Sequence, residues 1–336
     1  MNDIMEDTPI KAIPNIANWS ENFALAVFDP VRNISVFLHI GRWRQDLGLW
    51  RENVIISLPD GTTVFRRSVG DARATEAGPG GSNLAMTVVT PFQEQSWRFL
   101  GAARRVPQTV ARETLPADGP LERLEFDLTF RAKSPVWDIA PMREETLPVV
   151  KGHTEQLGQV AGALRVGNDR FEFSGIGNRD HTRGPRIMSD VFRRHMWLHG
   201  SFENGLGFLA YEMETSEDGP PSMSQAVVVD DHRLYPATFE PDFRMPPNGL
   251  DELARPFAFR LEYEKARLDI RVADFPATNF IQFTAPWDLY VGRRQIDTQL
   301  NRCVAEQAAR MLLNDETGGA GHIERSIPGP IIFDSD

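Results

Sequence analysis

The sequence predicts an all-β protein of antiparallel strands, divided into two domains, with one helix near the carboxyl terminus. Short runs of alternating apolar residues are interrupted about every 8 to 12 residues by turn-forming residues, which is typical of antiparallel sheets. The length of 336 residues exceeds that of a usual single domain. A proline-containing segment also interrupts the strand pattern near the middle of the chain. These observations predict two β-rich cores.

The first predicted domain spans residues 15–150 and begins with two β-hairpins. The first hairpin turns at Asp29-Pro30 and the second at Pro59-Asp60-Gly61, where turn-forming residues separate two apolar runs. Alternation of apolar and polar residues is clearest from Leu124 onward. The predicted strands of this domain lie at residues 22–28, 34–40, 54–58, 62–65, 84–89, 96–100 and 121–130.

A connection without regular structure is predicted at residues 134–150. This segment contains Pro135, Pro141 and Pro148 and shows little alternation, so we place the domain boundary near Val150. The second predicted domain spans residues 151–315. Its strands are predicted at residues 158–166, 170–173, 196–202, 206–213, 226–230, 257–263 and 266–272.

One helix is predicted at the end of the second domain. Asp297 or Thr298 provides an N-cap, and Thr317-Gly318-Gly319 ends the segment. Residues 316–336 follow as an extended tail. The apolar residues that recur at helical spacing are Leu300, Val304, Ala308, Met311 and Leu312.

The composition excludes several classes of protein. A net charge of -11 repels nucleic-acid phosphates and anionic lipids. No segment reaches the roughly 18 apolar residues of a membrane-spanning helix, and residues 1–14 lack the pattern of a secretory signal. Cys303 is the only cysteine, so an intrachain disulfide and a zinc site with two thiolates are excluded. We expect a cytoplasmic protein that does not bind nucleic acid and has no integral membrane segment.

The densest polar cluster of the sequence lies at residues 175–186, with the sequence GIGNRDHTRGPR. Such charged groups are more stable in a cleft or in solvent than in an apolar core. In one interpretation, Asp180 pairs with Arg179 or Arg183 as a structural brace. In the functional interpretation, Asp180 or His181 transfers protons in an apolar cavity. On a strand, Asp180 and His181 point to opposite faces.

This segment resembles the G-x-G-x-x-D-H-x-x-G element of AttH-like and carotenoid 1,2-hydratase-like proteins. His153-Thr154-Glu155-Gln156 and Asn18-Trp19-Ser20-Glu21 are also similar to these families. The resemblance implies two lipocalin-like antiparallel β-barrel or sandwich domains around an apolar cavity for a hydrophobic substrate. It implies proton and water addition to an alkene in hydratase members, and cofactor-free shaping of a polyene in pericyclase members. The sequence departs from the hydratase pattern at Asn178-Arg179 and at Arg183.

Other residues are candidates for the same cavity. Glu155 is a second acid or an exposed carboxylate at the end of a strand, and Tyr211 is a catalytic hydroxyl or a buried tyrosine whose hydroxyl is hydrogen-bonded. Either residue would position water. The candidate substrate-binding residues are Arg179, Arg183, Trp197, His199 and Trp19, although most tryptophans are expected to fill the two cores.

We expect neither a metal nor a cofactor. His195 and His199 have the i, i+4 spacing of a helical zinc site, but a strand is predicted there, which would hold them about 13 Å apart. Gly175 and Gly177 lack the third glycine and the βαβ setting of a dinucleotide site. A Walker A motif is absent from the sequence.

These observations predict cofactor-free acid–base chemistry on a hydrophobic molecule, such as an isoprenoid or a polyketide. The reaction would be a hydration, a dehydration or an isomerisation. Asp180 or His181 would donate the proton, and Arg179 or Arg183 would orient the acid. The alternatives are a non-catalytic carrier of a hydrophobic metabolite and a pericyclase. The sequence leaves a homodimer open.

Overall fold

The structure is a computed structural model that describes residues 5–17, 19–113, 119–139, 152–185, 194–214, 221–242, 255–284, 288–291 and 302–328. The single described helix is α1 (Gln108–Glu113). The described strands are β1 (Trp19–Asp29), β2 (Ile34–Trp43), β3 (Asp46–Ser57), β4 (Thr62–Gly70), β5 (Leu84–Thr90), β6 (Glu94–Pro107), β7 (Leu121–Ala132), β8 (Trp137–Asp138), β9 (Gly152–Val166), β10 (Asp169–Pro185), β11 (Arg194–Phe202), β12 (Gly207–Glu214), β13 (Met223–Asp230), β14 (Arg233–Pro241), β15 (Ala258–Tyr263), β16 (Ala266–Thr284), β17 (Asp288–Val291), β18 (Arg302–Leu313) and β19 (Thr317–Pro328).

The first barrel is a closed antiparallel sheet of eight strands. Its order is β1-β2-β3-β4-β6-β7-β9-β10, and β10 pairs with β1 to close the ring, while β5 pairs with β6 and β8 with β9. Alternate residues of each strand fill the interior because side chains on a strand alternate between its two faces. On β7 these are Leu124, Phe126, Leu128 and Phe130. This core agrees with the predicted alternation.

The second barrel is also a closed antiparallel sheet of eight strands. Its order is β15-β14-β13-β12-β11-β19-β18-β16, closed by the pairing of β15 with β16, and β17 extends β16. Its core has a separate set of buried apolar residues, including Leu198, Phe208, Phe259 and Ile323. The two closed barrels confirm the prediction of an all-β protein with two antiparallel β-barrels.

The compact units divide later in the chain than the predicted boundary near Val150. Residues 119–188 belong to the first unit together with residues 1–59 and 63–105, whereas residues 189–336 belong to the second with residues 60–62 and 106–118. The first unit extends past residue 150 because β9 and β10 complete its barrel. β9 pairs with β7, β10 pairs with β1, and β9 and β10 pair with each other. The predicted boundary residue Val150 itself lies outside the described residues.

The predicted carboxy-terminal helix is wrong over the described residues. Residues 302–313 form strand β18, and residues 317–328, predicted as the start of an extended tail, form strand β19. β18 is paired on both sides, with β16 and β19. Tertiary pairing therefore overrides the helical propensity of this alanine-rich segment. The predicted cap, Asp297 or Thr298, and Leu300 lie outside the described residues.

Among the described residues, no helix has the length and apolar character needed to cross a membrane.

Candidate functional site

Residues 175–185 of the predicted motif lie on β10, where their side chains alternate between the two faces of the first barrel. Phe171 and Phe173 of the same strand pack in or against the barrel core. Arg179, His181 and Arg183 share their face by period-two alternation and therefore point to the interior. Asp180 points to the outer face. The prediction that Asp180 and His181 occupy opposite faces agrees with this register.

On the outer face, Asp180 belongs to what we call the His153 cluster: His153, Glu155 and Asp180. Glu155 on β9 and Asp180 on β10 are direct cross-strand partners. His153 lies two residues before Glu155 and so shares its face. Its Nε2 atom lies 3.0 Å from Oε1 of Glu155 and 2.5 Å from Oδ2 of Asp180. One ring nitrogen is therefore placed between two carboxylates.

The environment of the His153 cluster favours a proton on the imidazole. Burial alone would lower the pKa of His153, but the charges and hydrogen bonds of Asp180 and Glu155 outweigh burial and raise this pKa to about 10. His153 is therefore an imidazolium at neutral pH. Asn178 donates a hydrogen bond of 3.1 Å to Oε2 of Glu155 and fixes its orientation. The Asp180 side chain retains 14% exposure, so the cluster reaches the protein surface.

The interior face carries a different group, which we call the Glu21 cluster: Glu21, Arg42, His181 and Arg183. Glu21 is fully buried and accepts a hydrogen bond of 3.0 Å from Nε of Arg183, and its Oε1 lies 3.4 Å from Nε2 of His181. Burial raises the pKa of Glu21, but His181 and Arg183 outweigh it and keep this pKa below the ordinary value. Burial lowers the pKa of His181 against the opposing effect of Glu21. The His181 ring stacks on Phe23 with 3.9 Å between centroids.

Arg179 holds the amino-terminal segment inside the first barrel. Its Nη1 donates a hydrogen bond of 2.8 Å to Asp7, and both side chains are almost fully buried. Its Nε donates to Oε1 of Gln156 at 2.9 Å. Arg183 donates to the carbonyl of Thr8 at 2.7 Å. The motif arginines thus form ion pairs, as the brace interpretation expects. Their partners are Asp7 for Arg179 and Glu21 for Arg183, whereas the sequence suggests Asp180.

The remaining candidate residues are distributed over both barrels. Trp19 is buried at the start of β1, opposite Pro185. Trp197 and His199 lie on β11 and Tyr211 on β12, so these three belong to the second barrel. Trp197 and Tyr211 are cross-strand partners. Of the nine candidate residues, the structure places Asp180 and Glu155 in one ionisable group, and it places His181 and Arg183 in another.

Sequence reasoning missed the residue at the centre of the first group. The sequence predicts no catalytic role for His153, which belongs to the segment similar to AttH-like proteins. Its spacing of two from Glu155 nevertheless places both residues on one face of any strand. That period-two signal was available in the sequence. Glu21 and Asp7 were also missed, and no local signal relates them to β10, because 172 residues separate Asp7 from Arg179.

The donor atoms of the His153 cluster lie within 4.8 Å of one another, a spacing that also suits a bound cation. The imidazolium already compensates part of the charge of the two carboxylates, so we treat the group as an acid–base cluster. The arrangement can hold one proton among three groups and exchange it with a molecule at the exposed edge of Asp180. The expectation that no metal is required stays a prediction.

The fold defines the chain as a two-barrel lipocalin-like protein, the architecture implied by the AttH-like resemblance. The chain belongs to the DUF7064 family, a domain of unknown function, whose family model matches residues 9–284. No curated protein matches the chain.

Two solved structures share the architecture. The chain is similar to an AttH-like protein from Nitrosomonas europaea, with a TM-score of 0.60, 12% sequence identity and 97% of each chain covered. It is also similar to CghA, crystallised with Sch210972, with a TM-score of 0.51 and 12% identity over 96% of this chain and 95% of CghA. At these identities the similarity establishes the fold alone.

Proposed function

We propose that the chain is a cofactor-free acid–base enzyme that hydrates, dehydrates or isomerises a hydrophobic substrate at the His153 cluster. One observation carries this proposal: a single buried imidazole nitrogen lies between two carboxylates, and one of these, Asp180, reaches the surface. A positioned group that retains a proton where water is scarce is the requirement for general acid catalysis on an apolar molecule.

In the hydration direction, the Nε2 proton of His153 passes to Asp180, and the partly exposed carboxyl group of Asp180 donates it to one carbon of a carbon–carbon double bond. The π electrons form the new C–H bond and leave a positive charge on the other carbon, which the carboxylates of Asp180 and Glu155 stabilise. Water adds to that carbon, and a carboxylate accepts the proton that water releases. Transfer of this proton to His153 restores the cluster. Dehydration is the reverse reaction, and isomerisation ends with loss of a different proton.

The interior residues of the motif act as positioning residues in this proposal. Arg179 and Arg183 hold β10 in place through Asp7 and Glu21, and they have no direct contact with the substrate. His181, within the Glu21 cluster, fixes the interior face of the same strand. The sequence analysis assigns the proton to Asp180 or His181; in this proposal His153 holds the proton and Asp180 delivers it to the substrate.

A hydrophobic substrate, with isoprenoids as the first class to test, is supported by two further points. The AttH-like and carotenoid hydratase-like resemblance implies such a ligand, and CghA, which has a similar fold, was crystallised with Sch210972. Because the outer-face cluster is largely buried, a substrate with an extended apolar body would exclude water from the site more effectively than a small polar molecule.

The test uses prenyl alkenes as probes. The purified chain is incubated with geraniol, farnesol and squalene in H₂¹⁸O containing EDTA, and products are measured by mass spectrometry. We expect incorporation of ¹⁸O by the wild-type chain and a loss of about 10²-fold or more in His153→Gln and Asp180→Asn. Glu172→Gln is the matched control, because Glu172 is exposed on the same strand and, within the described ranges, forms an ion pair with Arg170 alone. We expect it to retain full turnover.

Retention of turnover within a few-fold in both His153→Gln and Asp180→Asn would refute the acid–base role and favour a pericyclase, in which shape dominates. Tight binding of the probes without turnover, unchanged in both variants, would indicate the carrier alternative. Native mass spectrometry of the purified protein, searching for a co-purified apolar molecule, tests the substrate class separately. A loss of turnover caused by EDTA alone would contradict the cofactor-free proposal.

A further inference from the structure

The second barrel repeats the carboxylate arrangement of the first on a different hairpin. Glu306 on β18 and Glu324 on β19 are direct cross-strand partners, as Glu155 and Asp180 are on β9 and β10. His322 lies two residues before Glu324 and therefore shares its face. This face points away from the barrel core, because Ile323, between these residues, packs inside it.

The carboxylates of this pair have different partners. Oε2 of Glu306 lies 2.6 Å from Nε2 of His322, and both residues are buried. Glu324 contacts Nε2 of His195 on β11, whose Nδ1 lies 2.6 Å from the hydroxyl of Ser326. The Glu324 side chain retains 15% exposure, close to that of Asp180 in the first barrel. The pair therefore also reaches the protein surface at one edge.

The surroundings of Glu306 and Glu324 shift the pKa values of the two carboxyl groups in opposite directions. Burial and the neighbouring Glu324 raise the pKa of Glu306 well above its ordinary value. Burial opposes ionisation of Glu324, but His195 outweighs it and lowers the pKa of Glu324 to about 2. Burial lowers the pKa of His322 to about 4. The pKa values of the two carboxyl groups are thus shifted in opposite directions, upward for Glu306 and downward for Glu324.

His199 provides an independent observation that points to a ligand. It is fully buried, and neither of its ring nitrogens has a hydrogen-bond partner within the part of the chain that the structure describes. Its ring stacks on His322, its cross-strand partner, with 5.6 Å between centroids, and it meets the ring of Trp197 edge-on at 5.5 Å. Buried polar groups are normally paired, so an imidazole with two open nitrogens is suited to a partner outside the protein.

We propose that the outer face of β11, β19 and β18 is a binding site for an uncharged conjugated molecule with a hydroxyl or carbonyl oxygen. The oxygen is held by His199, whose ring nitrogens have no partner among the described residues. The adjacent rings of Trp197 and His322 suit a flat ligand. A charged ligand is disfavoured, since Glu324 and His195 already compensate each other and an additional buried charge would remain unpaired.

The experiment measures binding of 2-naphthol, which has one hydroxyl on a flat ring system, by isothermal titration calorimetry to the full chain. Naphthalene lacks the hydroxyl, and 2-naphthoate carries a charge. We expect 2-naphthol to bind at least about 10-fold more tightly than either compound, because a hydrogen bond to the otherwise unpaired His199 is worth about that much. The variant His199→Phe keeps an aromatic ring and removes both nitrogens. Its affinity for 2-naphthol should fall by about 10-fold or more, whereas its affinity for naphthalene should be unchanged.

Ser201→Ala is the matched control, since Ser201 lies two residues after His199 on the same face of β11. It should leave 2-naphthol affinity unchanged. Thermal denaturation separates binding from folding: the melting temperature of His199→Phe should be equal to or above that of the wild-type chain, because no hydrogen bond is lost. A marked drop in melting temperature would show that His199 has a structural partner and would overturn the proposal.

Three further outcomes overturn it: absence of 2-naphthol binding to the wild-type chain, equal affinity for naphthalene, and unchanged affinity in His199→Phe. The proposal is independent of the reaction assigned to the first barrel. Loss of prenyl-alkene turnover in His153→Gln, with 2-naphthol binding intact, would support both assignments separately.

Discussion

Two groups of buried charges in the first barrel have partners of opposite sign, and the stability of these pairs depends on pH and on the identity of each residue. His153 lies between Glu155 and Asp180, while Arg179 pairs with Asp7. Breaking a buried pair by removing one member leaves an uncompensated charge, which costs far more than losing a pair at the surface. The stability of the chain should therefore respond strongly to single changes at these positions.

The stabilising contribution of His153 should decline as pH rises. The pKa of His153 is raised to about 10 in the fold from an ordinary value of 6.5, because the two carboxylates favour the imidazolium. A group whose pKa is raised by folding stabilises the folded state fully below its ordinary pKa, here pH 6.5. This stabilisation is lost as the pH rises through the folded-state pKa of about 10. Each pKa unit corresponds to about 1.4 kcal/mol, so the loss amounts to several kcal/mol.

Urea unfolding of the wild-type chain and of His153→Gln at pH 6, 8 and 10 measures this effect. The difference in free energy of unfolding between the two proteins should be largest at pH 6 and should shrink toward pH 10. A difference that stays constant over this range would show that His153 does not carry the shared proton.

Removing Asp7 should destabilise the first barrel through Arg179. In Asp7→Ala the guanidinium of Arg179 remains buried without its carboxylate, at a cost of about 3–5 kcal/mol. Asp127→Ala is the control: Asp127 pairs with Arg98 where the side chains are 57% and 66% exposed, so its loss should cost less than about 1 kcal/mol. Chemical denaturation followed by tryptophan fluorescence provides both values, and equal losses would contradict the argument.

At the scale of the elements, close approach of paired strands determines which positions accept a side chain. β11 and β19 approach so closely at Gly321 that an added Cβ would lie 2.0 Å from the carbonyl oxygen of His199. The obstacle is backbone, so relief requires movement of a strand. On β3, by contrast, a Cβ at the exposed Gly48 would meet only the side chain of Asp46, at 3.1 Å.

Gly321→Ala should therefore cost about 1–3 kcal/mol in the free energy of unfolding, as overpacking usually does. Gly48→Ala should stay within about 0.5 kcal/mol of the wild-type chain, as expected for a surface change. Denaturant titration of both variants checks the pair. If Gly321→Ala were as stable as Gly48→Ala, the strand approach described for β11 and β19 would be incorrect.

Burial of β18 on both of its faces explains why the sequence predicts a helix there. Ala305, Ala309 and Met311 face the core, yet Val304 and Ala308 on the other face are also fully buried. A strand buried on both faces loses the alternation by which strands are identified in sequence. Its alanine and leucine residues then favour a helix locally. The opposite case is β7, where one buried face gave clear alternation and a correct prediction.

At the scale of the whole molecule, each barrel has its own apolar core. Among the described residues, the core of the first barrel contains none after Phe173, and that of the second begins at Met196. Separate cores permit separate unfolding, since cooperativity depends on shared buried contacts.

We expect differential scanning calorimetry to resolve two unfolding transitions. Asp7→Ala should lower the midpoint of one transition and Gly321→Ala that of the other, because Asp7 lies in the first unit and Gly321 in the second. A single transition shifted equally by both variants would show that the barrels unfold as one cooperative unit.

The sequence by itself determined the class of fold and its strand content, because alternation and turn residues are local signals that survive without knowledge of partners. It also indicated the Asp180-His181 segment and the separation of these two side chains onto opposite faces, since strand geometry alone dictates that separation.

Only the tertiary structure decided which residues meet. Strand pairing places Asp180 opposite Glu155 and brings His153 between them, and ring closure assigns β9 and β10 to the first barrel. Strand register and barrel closure depend on the free energy of the complete sheet, because the pairing of each strand depends on all the other pairings. No short segment contains that information, and for this reason the helix at β18 and the partners of Arg179 were beyond the reach of sequence reasoning.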